Sequence, residues 1–300
     1  MTTPAPRPRV NDQHLTTAED LLDALRSKTW GEPRDWIYRG QSNADWSLRP
    51  TAFRSPAAFR PFGIDGDTSN WSPREFLLMR GLTRFRDGLD ASGVAIPVQA
   101  PSVDIGERDR TTFGAMLPEA YPLMALAQHH GLPTLLLDWT RRGPIAAYFA
   151  ASSALDPTTT DKGSHLAVWA LRAQTGELIG YGRNDDQTMG IVRVYQAPAG
   201  TNPNMRAQAG LFTFVFGYDD PGVETIVARR ADDGPELRRL TLPHAEAPKL
   251  LRLLASEGIT GASMFPGADG VVRSMREESL WDRPVFPAPK GNPWSQGGGA

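Results

Sequence analysis

HHGLPTLLLDWT, His129 to Thr140, running directly into RRGPIAAYFAAS, Arg141 to Ser152, is the stretch on which the fold turns. Gly131 and Pro133 end the helix that precedes them. An apolar run follows at Leu135 to Leu137, and Pro144 opens a segment of small residues suited to a helix. The pattern predicts helix, strand, helix. The strand carries one anomaly, because its apolar run ends in Asp138. A carboxylate held there needs an arginine or several N–H donors, so Asp138 is expected to orient a cation or a histidine at the edge of a site.

Upstream, the apolar and aromatic segment WIYRG predicts a strand closed by Gly40. Arg39 lies at its C-terminal end, beside a glycine that lets a ligand approach the backbone. An arginine so placed makes bidentate contacts to a phosphate or a carboxylate, or else forms a buried ion pair with Asp138. A Thr followed three residues later by Glu or Asp, at Thr16 to Asp20, predicts a capped helix over LLDALRS. Ser72 and Pro73 open a helix with Phe76, Leu77, Met79, Leu82 and Phe85 on its period, and Pro118 to Gln128 predicts another.

Downstream, HLAVWAL, VRVYQA, LFTFVFG, ETIVARR and ELRRLTLP read as strands. APKLLRLLASEG reads as a helix ended by Gly258, and ITGASMFP as a last strand. One α+β domain over residues 12–280 accounts for these elements. It is flanked by a Pro-rich segment over 1–11, expected to be disordered, and a Pro- and Gly-rich tail over 281–300, expected to be flexible.

Composition narrows the function classes. The 300 residues carry 32 Lys and Arg against 34 Asp and Glu, a net charge of −2, which gives no chain-wide attraction to nucleic acid or anionic membrane. No cysteine is present, so thiolate catalysis, disulfides and zinc-thiolate sites are excluded. With five histidines and no His-Glu-x-x-His spacing, no metal site is expected. Neither a signal-peptide core nor a membrane-length apolar run is seen, and a soluble cytoplasmic protein of bacterial type is expected.

Several further residues carry chemistry. His129 and His130 stand at a helix end, where one caps carbonyls and one is functional or buried. Tyr148 and Phe149 line a pocket or fill the core. Gln208 precedes an apolar strand, where its amide can reach a ligand hydroxyl. Arg74, Arg80, Arg84 and Arg86 share a helix and read as a solvated face, whereas Arg141 and Arg142 are the better nucleic-acid contacts.

Taken together, these motifs resemble the FRG-domain family, named for its Phe/Tyr-Arg-Gly motif. Tyr38-Arg39-Gly40-Gln41 matches that motif, Gln128 to Thr140 resembles the HGLPTRLLDWT signature, and Ala147 to Ala150 matches the ALYFA helix. Gln208 to Phe212 corresponds to the QxGxF strand, and Ile259 to Val271 to the closing segment. Leu135 stands where the family usually has Arg, and Arg142-Gly143-Pro144 where Asn-Pro is usual.

The order of elements is in turn similar to that of the ADP-ribosyltransferase toxins that modify DNA bases. That resemblance implies a small mixed sheet split around a cleft, with NAD as substrate and no metal. Tyr38, Arg39, Gly40, Gln41, His129, Gly131, Thr134, Tyr148 and Phe149 would bind NAD, with Arg39 on an NAD oxygen and Tyr148 or Phe149 stacked on the nicotinamide. Gln208 falls where the catalytic Glu is expected. It supplies a hydrogen bond but no charge, leaving Asp138 or Glu224 to provide the carboxylate and His130 a hydrogen bond or the general base. The acceptor would be a nucleic acid rather than a protein, in a toxin or antiphage effector. A non-catalytic nucleotide-sensing module is the alternative. A hydrolase is disfavoured, since neither clustered metal carboxylates nor a nucleophile elbow is seen.

Overall fold

A computed structural model describes residues 10–26, 30–64, 73–97, 110–159, 163–181, 190–197, 203–217, 222–229 and 236–281. Among the described residues, eight strands form one sheet in the order β1-β8-β4-β2-β3-β7-β6-β5. They are β1 (Val10–His14), β2 (Trp36–Gln41), β3 (Leu136–Thr140), β4 (His165–Arg172), β5 (Leu178–Tyr181), β6 (Gly190–Tyr195), β7 (Gly210–Gly217) and β8 (Leu237–Pro243). Only β1 and β8 pair in parallel; the other neighbours are antiparallel. The fold is the expected α+β arrangement. β7 is buried at every position and β4 at all but its two ends, so both appear in the sequence as unbroken apolar runs rather than alternating ones.

The helices cover both faces. On one side, α1 (Ala18–Arg26), α5 (Gly143–Leu155), α8 (Ala247–Ser256) and α9 (Gly261–Met264) pack with Trp36, Tyr38, Val168 and Leu240. On the other, α2 (Thr51–Arg54), α3 (Pro73–Ala91), α4 (Arg110–His129) and α7 (Val223–Arg229) pack with Ile37, Trp169, Leu171 and Phe214. α6 (Pro203–Ala207) precedes β7, and α10 (Ala268–Trp281) follows α9. The cap expected on α1 is present, with the Asp20 N–H donating to Thr17 Oγ1 at 3.2 Å and that hydroxyl donating to the Asp20 carboxylate at 2.6 Å.

The sheet is two four-stranded halves joined at one point. β4 and β2 share six register pairs and β3 and β7 share five, but β2 and β3 pair only at Tyr38 and Thr140. Arg39 and Gly40 on one strand therefore part from Trp139 and Asp138 on the other, which is the split that positions the site.

Five segments differ from expectation. ETIVARR forms α7, not a strand, because Val223, Ile226 and Val227, all fully buried, fall on one helical face. ITGASMFP supplies α9, opened by a reciprocal capping box between Thr260 and Ser263. α4 begins at Arg110, ahead of the expected start at Pro118, and α10 was not anticipated. β1 begins at Val10, inside the segment expected to be disordered, because it adds to the edge of β8 and its Asp12 holds Arg239 at 2.7 and 3.0 Å. Residues 1–9 and 282–300, and the side chain of Arg74, lie outside the described residues.

Candidate functional site

The alternation of β2 divides the Tyr-Arg-Gly-Gln motif between the two faces of the sheet. Tyr38 faces the α1 and α5 side, where burial raises its hydroxyl pKa and its ring stacks on Trp30 at 6.4 Å. Gly40 faces the same side and has no room for a side chain, since a Cβ there would stand 2.0 Å from the Ala146 carbonyl oxygen and 2.7 Å from the Ala150 nitrogen. The small residues of α5 and this glycine together let the helix backbone lie directly on the strand. Gln41 faces the other way, and its amide is spent on structure, accepting from Trp169 Nε1 at 2.8 Å and donating to the Ser47 carbonyl at 3.4 Å.

Arg39 enters the split between β2 and β3. Its Nη1 donates to the Asp138 carbonyl at 2.7 Å and stands 3.7 Å from the Asp138 carboxylate, while its buried Nε has no protein partner. The expected association of Arg39 with Asp138 is thus present, across the split rather than along a ladder. Asp138 is the middle residue of β3 and the one exposed position of that strand. An exposed carboxylate between buried Leu137 and Trp139, near the centre of an eight-stranded sheet, marks where solvent reaches the split.

The surroundings are polar and organised. Gln128, near the end of α4, donates from Nε2 to Asp138 Oδ1 at 2.8 Å, and its Oε1 accepts from the hydroxyl of fully buried Thr134. Arg54 closes α2, with its Nε donating to the Arg49 carbonyl at 3.1 Å. Burial lowers the pKa of Arg39, opposed by the negative charge of Asp138 and reinforced by the positive charge of Arg54. Burial likewise lowers that of Arg54, again opposed by Asp138. A desolvated arginine and a second, exposed one around one exposed carboxylate make a place where an anion gains strongly.

The other expected site residues are distributed differently. Tyr148 is wholly buried on the α5 side of the sheet, opposite to Arg39, and donates from its hydroxyl to Glu277 Oε1 at 2.8 Å. Phe149 meets Phe265 edge-on at 6.0 Å. The Gln208 amide donates to the neighbouring Met264 carbonyl at 3.0 Å, which brings Gln208 and Phe149 together at the α9 end. Its backbone carbonyl accepts from Thr140 Oγ1 at 2.7 Å, two residues along β3 from Asp138.

Gly131, at φ 86°, ends α4 with its N–H on the Gln128 carbonyl, leaving His129 and His130 exposed and edge-to-face at 5.2 Å. Arg141 is held by the Arg34 carbonyl and the Thr175 hydroxyl, whereas the Arg142 side chain is exposed at the start of α5. Arg84 donates to the carbonyls of Phe62 and Gly63 and Arg86 pairs with Asp87, so these two, expected on a solvated face, make protein contacts. Leu135 lies in the core, 1% exposed, so the position where the family usually has Arg does not face the opening.

Arg54 and Gln128 were not singled out from the sequence. Gln128 opens the quoted motif, but a lone Gln at a helix end has no periodicity to mark it. Arg54 follows Pro50 and a single helical turn, and nothing local ties it to Asp138. Residues 34–159 match the FRG domain, a span that contains Arg39, Arg54, Gln128, Thr134 and Asp138 but not Gln208. No curated protein and no solved structure matches the chain.

Proposed function

We propose that the split between β2 and β3, which lies within the span matching the FRG domain and holds Arg39 and Asp138, is an NAD site serving ADP-ribosyl transfer to a macromolecular acceptor. The observation that carries the reading is a buried arginine with an unpartnered Nε beside an exposed mid-strand carboxylate. Arg39 and Arg54 take the pyrophosphate. Asp138 accepts from a ribose hydroxyl and offsets the positive charge that builds on the ribose as the bond from C1′ to the nicotinamide nitrogen breaks. Nicotinamide leaves with the bonding electron pair as a neutral molecule. An acceptor N–H or O–H then bonds to C1′ and gives its proton to a base, for which exposed His130 at the end of α4 is the candidate.

A nucleic-acid acceptor is favoured over a protein one, with exposed Arg142 as the contact at the rim. Such an activity suits a toxin or antiphage effector. One observation favours a second reading, a nucleotide-sensing module without catalysis: the Gln208 amide is committed to the Met264 carbonyl. Nicotinamide release, followed by mass spectrometry after incubation with NAD alone and with DNA, RNA or protein, tests the reading. Release that requires one polymer and is lost in Arg39→Ala is expected. NAD binding without release selects the sensing module, and a calorimetric titration in which another nucleotide binds and NAD does not overturns NAD as the ligand.

A further inference from the structure

We infer that Gln128 is a positioning residue whose amide, locked in one orientation by Thr134, holds Asp138 in the split as a hydrogen-bond acceptor and not as a proton donor. The catalytic consequence rests on the NAD reading above; the relay itself does not.

The argument runs from the buried end outward. The Leu136 N–H donates to Thr134 Oγ1 at 3.1 Å, so the single hydroxyl proton of Thr134 is left for another acceptor. That acceptor is Gln128 Oε1. The amide nitrogen of Gln128 is thereby turned to Asp138 Oδ1, 2.8 Å away. Were the amide reversed, two acceptor oxygens would face each other at that distance and the Thr134 hydroxyl proton would face an amide N–H, so both hydrogen bonds would be lost. The donors therefore run in one direction: Leu136 N–H to Thr134, Thr134 to Gln128, Gln128 to Asp138.

Both ends of this relay are anchored. Thr134 has no exposed surface, and its carbonyl accepts from the Ala52 N–H at 3.1 Å, which ties the relay to the helix that carries Arg54. Asp138 Oδ2 stands 3.7 Å from Arg39 Nη1, so one carboxylate oxygen meets a cation and the other an amide donor. With an amide donor on one oxygen and a cation beside the other, Asp138 is set to stabilise positive charge or to accept from a ribose hydroxyl. General-acid work at the leaving group is not open to it in this arrangement.

The test has two arms. In the first, the Gln128 side-chain amide is followed by nitrogen-15 NMR and hydrogen exchange in the full chain without ligand. Slow exchange is expected in the wild type and in Thr134→Ser, which keeps the hydroxyl, with faster exchange and a shifted resonance in Thr134→Val and Asp138→Ala. An amide that exchanges like an exposed glutamine, or ignores both of the latter substitutions, overturns the relay.

In the second arm, Gln128→Leu is expected to lower kcat for nicotinamide release by roughly 100-fold, the scale of a misplaced catalytic group, with the Kd for NAD unchanged. It is expected to add no further loss in an Asp138→Asn background. A purely structural role instead gives losses that add in the double variant, and that result overturns the positioning assignment. A wild type that shows the protected amide but neither binds nor cleaves NAD leaves the relay standing and overturns the NAD reading alone.

Discussion

The two sides of the sheet each hold an arginine against a carboxylate, wetted in opposite senses. In the split, Arg39 is 15% exposed and Asp138 67%; between α5 and α10, Arg273 is 35% exposed and Glu277 7%. The buried carboxylate collects structural partners, with Glu277 Oε1 accepting from the hydroxyls of Tyr148 and Ser152 at 2.8 and 2.6 Å and from Arg273 Nε at 3.2 Å. Arg273 also lies 4.5 Å over the Phe265 ring. The exposed carboxylate has one side-chain amide and one arginine, and an open face. A buried carboxylate needs protein partners to be tolerated; Glu277 gathers three on Oε1, while its buried Oε2 has none, and the cluster on Oε1 holds α10 to α5. A carboxylate at the mouth of a split is kept in solution by water, and a ligand can replace that water.

The largest effect that sharpens this contrast is expected on the structural side. Glu277→Ala leaves the buried Tyr148 and Ser152 hydroxyls without their shared acceptor and should cost about 3 kcal/mol, read as a lowered denaturation midpoint; a change below about 1 kcal/mol would erase the distinction between the two pairs. On the other side, Asp138→Asn should leave stability within about 1 kcal/mol, as for an exposed ion pair. The same variant should lower nicotinamide release by about 10²–10³-fold, the loss of one preorganised charge. Unfolding in place of that loss would make Asp138 a second Glu277.

The smallest effect concerns Glu224, a carboxylate intermediate between the two. It accepts the Leu48 N–H at 3.3 and 3.1 Å, and burial raises its pKa above the ordinary 4.5. The native state then holds the proton more tightly than the unfolded chain. This contribution to stability is full at low pH and is lost as pH climbs from about 4.5 through the raised native value. Glu224→Gln should therefore show a flatter decline of melting temperature over that interval, and parallel curves would count against the assignment.

Much of this was legible in the chain. The WIYRG strand, the Gly131 stop, the helix opened by Pro144 and the buried β4 and β7 follow from local rules: apolar runs, fixed φ at proline, and a glycine free to take positive φ. Val223, Ile226 and Val227 carried a helical spacing that a short apolar run disguised as a strand, and Thr260 with Ser263 carried a cap that was read through. The expected meeting of Tyr148 with Arg39 failed for a plainer reason. On β2 side chains alternate, and α5 lies on the face that Arg39 does not share.

Local pattern in the chain specified most of the elements, the Tyr-Arg-Gly motif and Arg39 as a residue suited to hold an anion. Local propensity and spacing act over a few residues, and those features need no more. Only the tertiary structure decided which of those residues meet: Arg39 reaches Asp138 across 99 positions of chain, and Gln208 turns to Met264 across 56. Such pairs depend on the register of strands that are not neighbours in sequence and on where β2 and β3 stop pairing. That is settled by packing helices on both faces of the sheet, a balance no short stretch of chain contains.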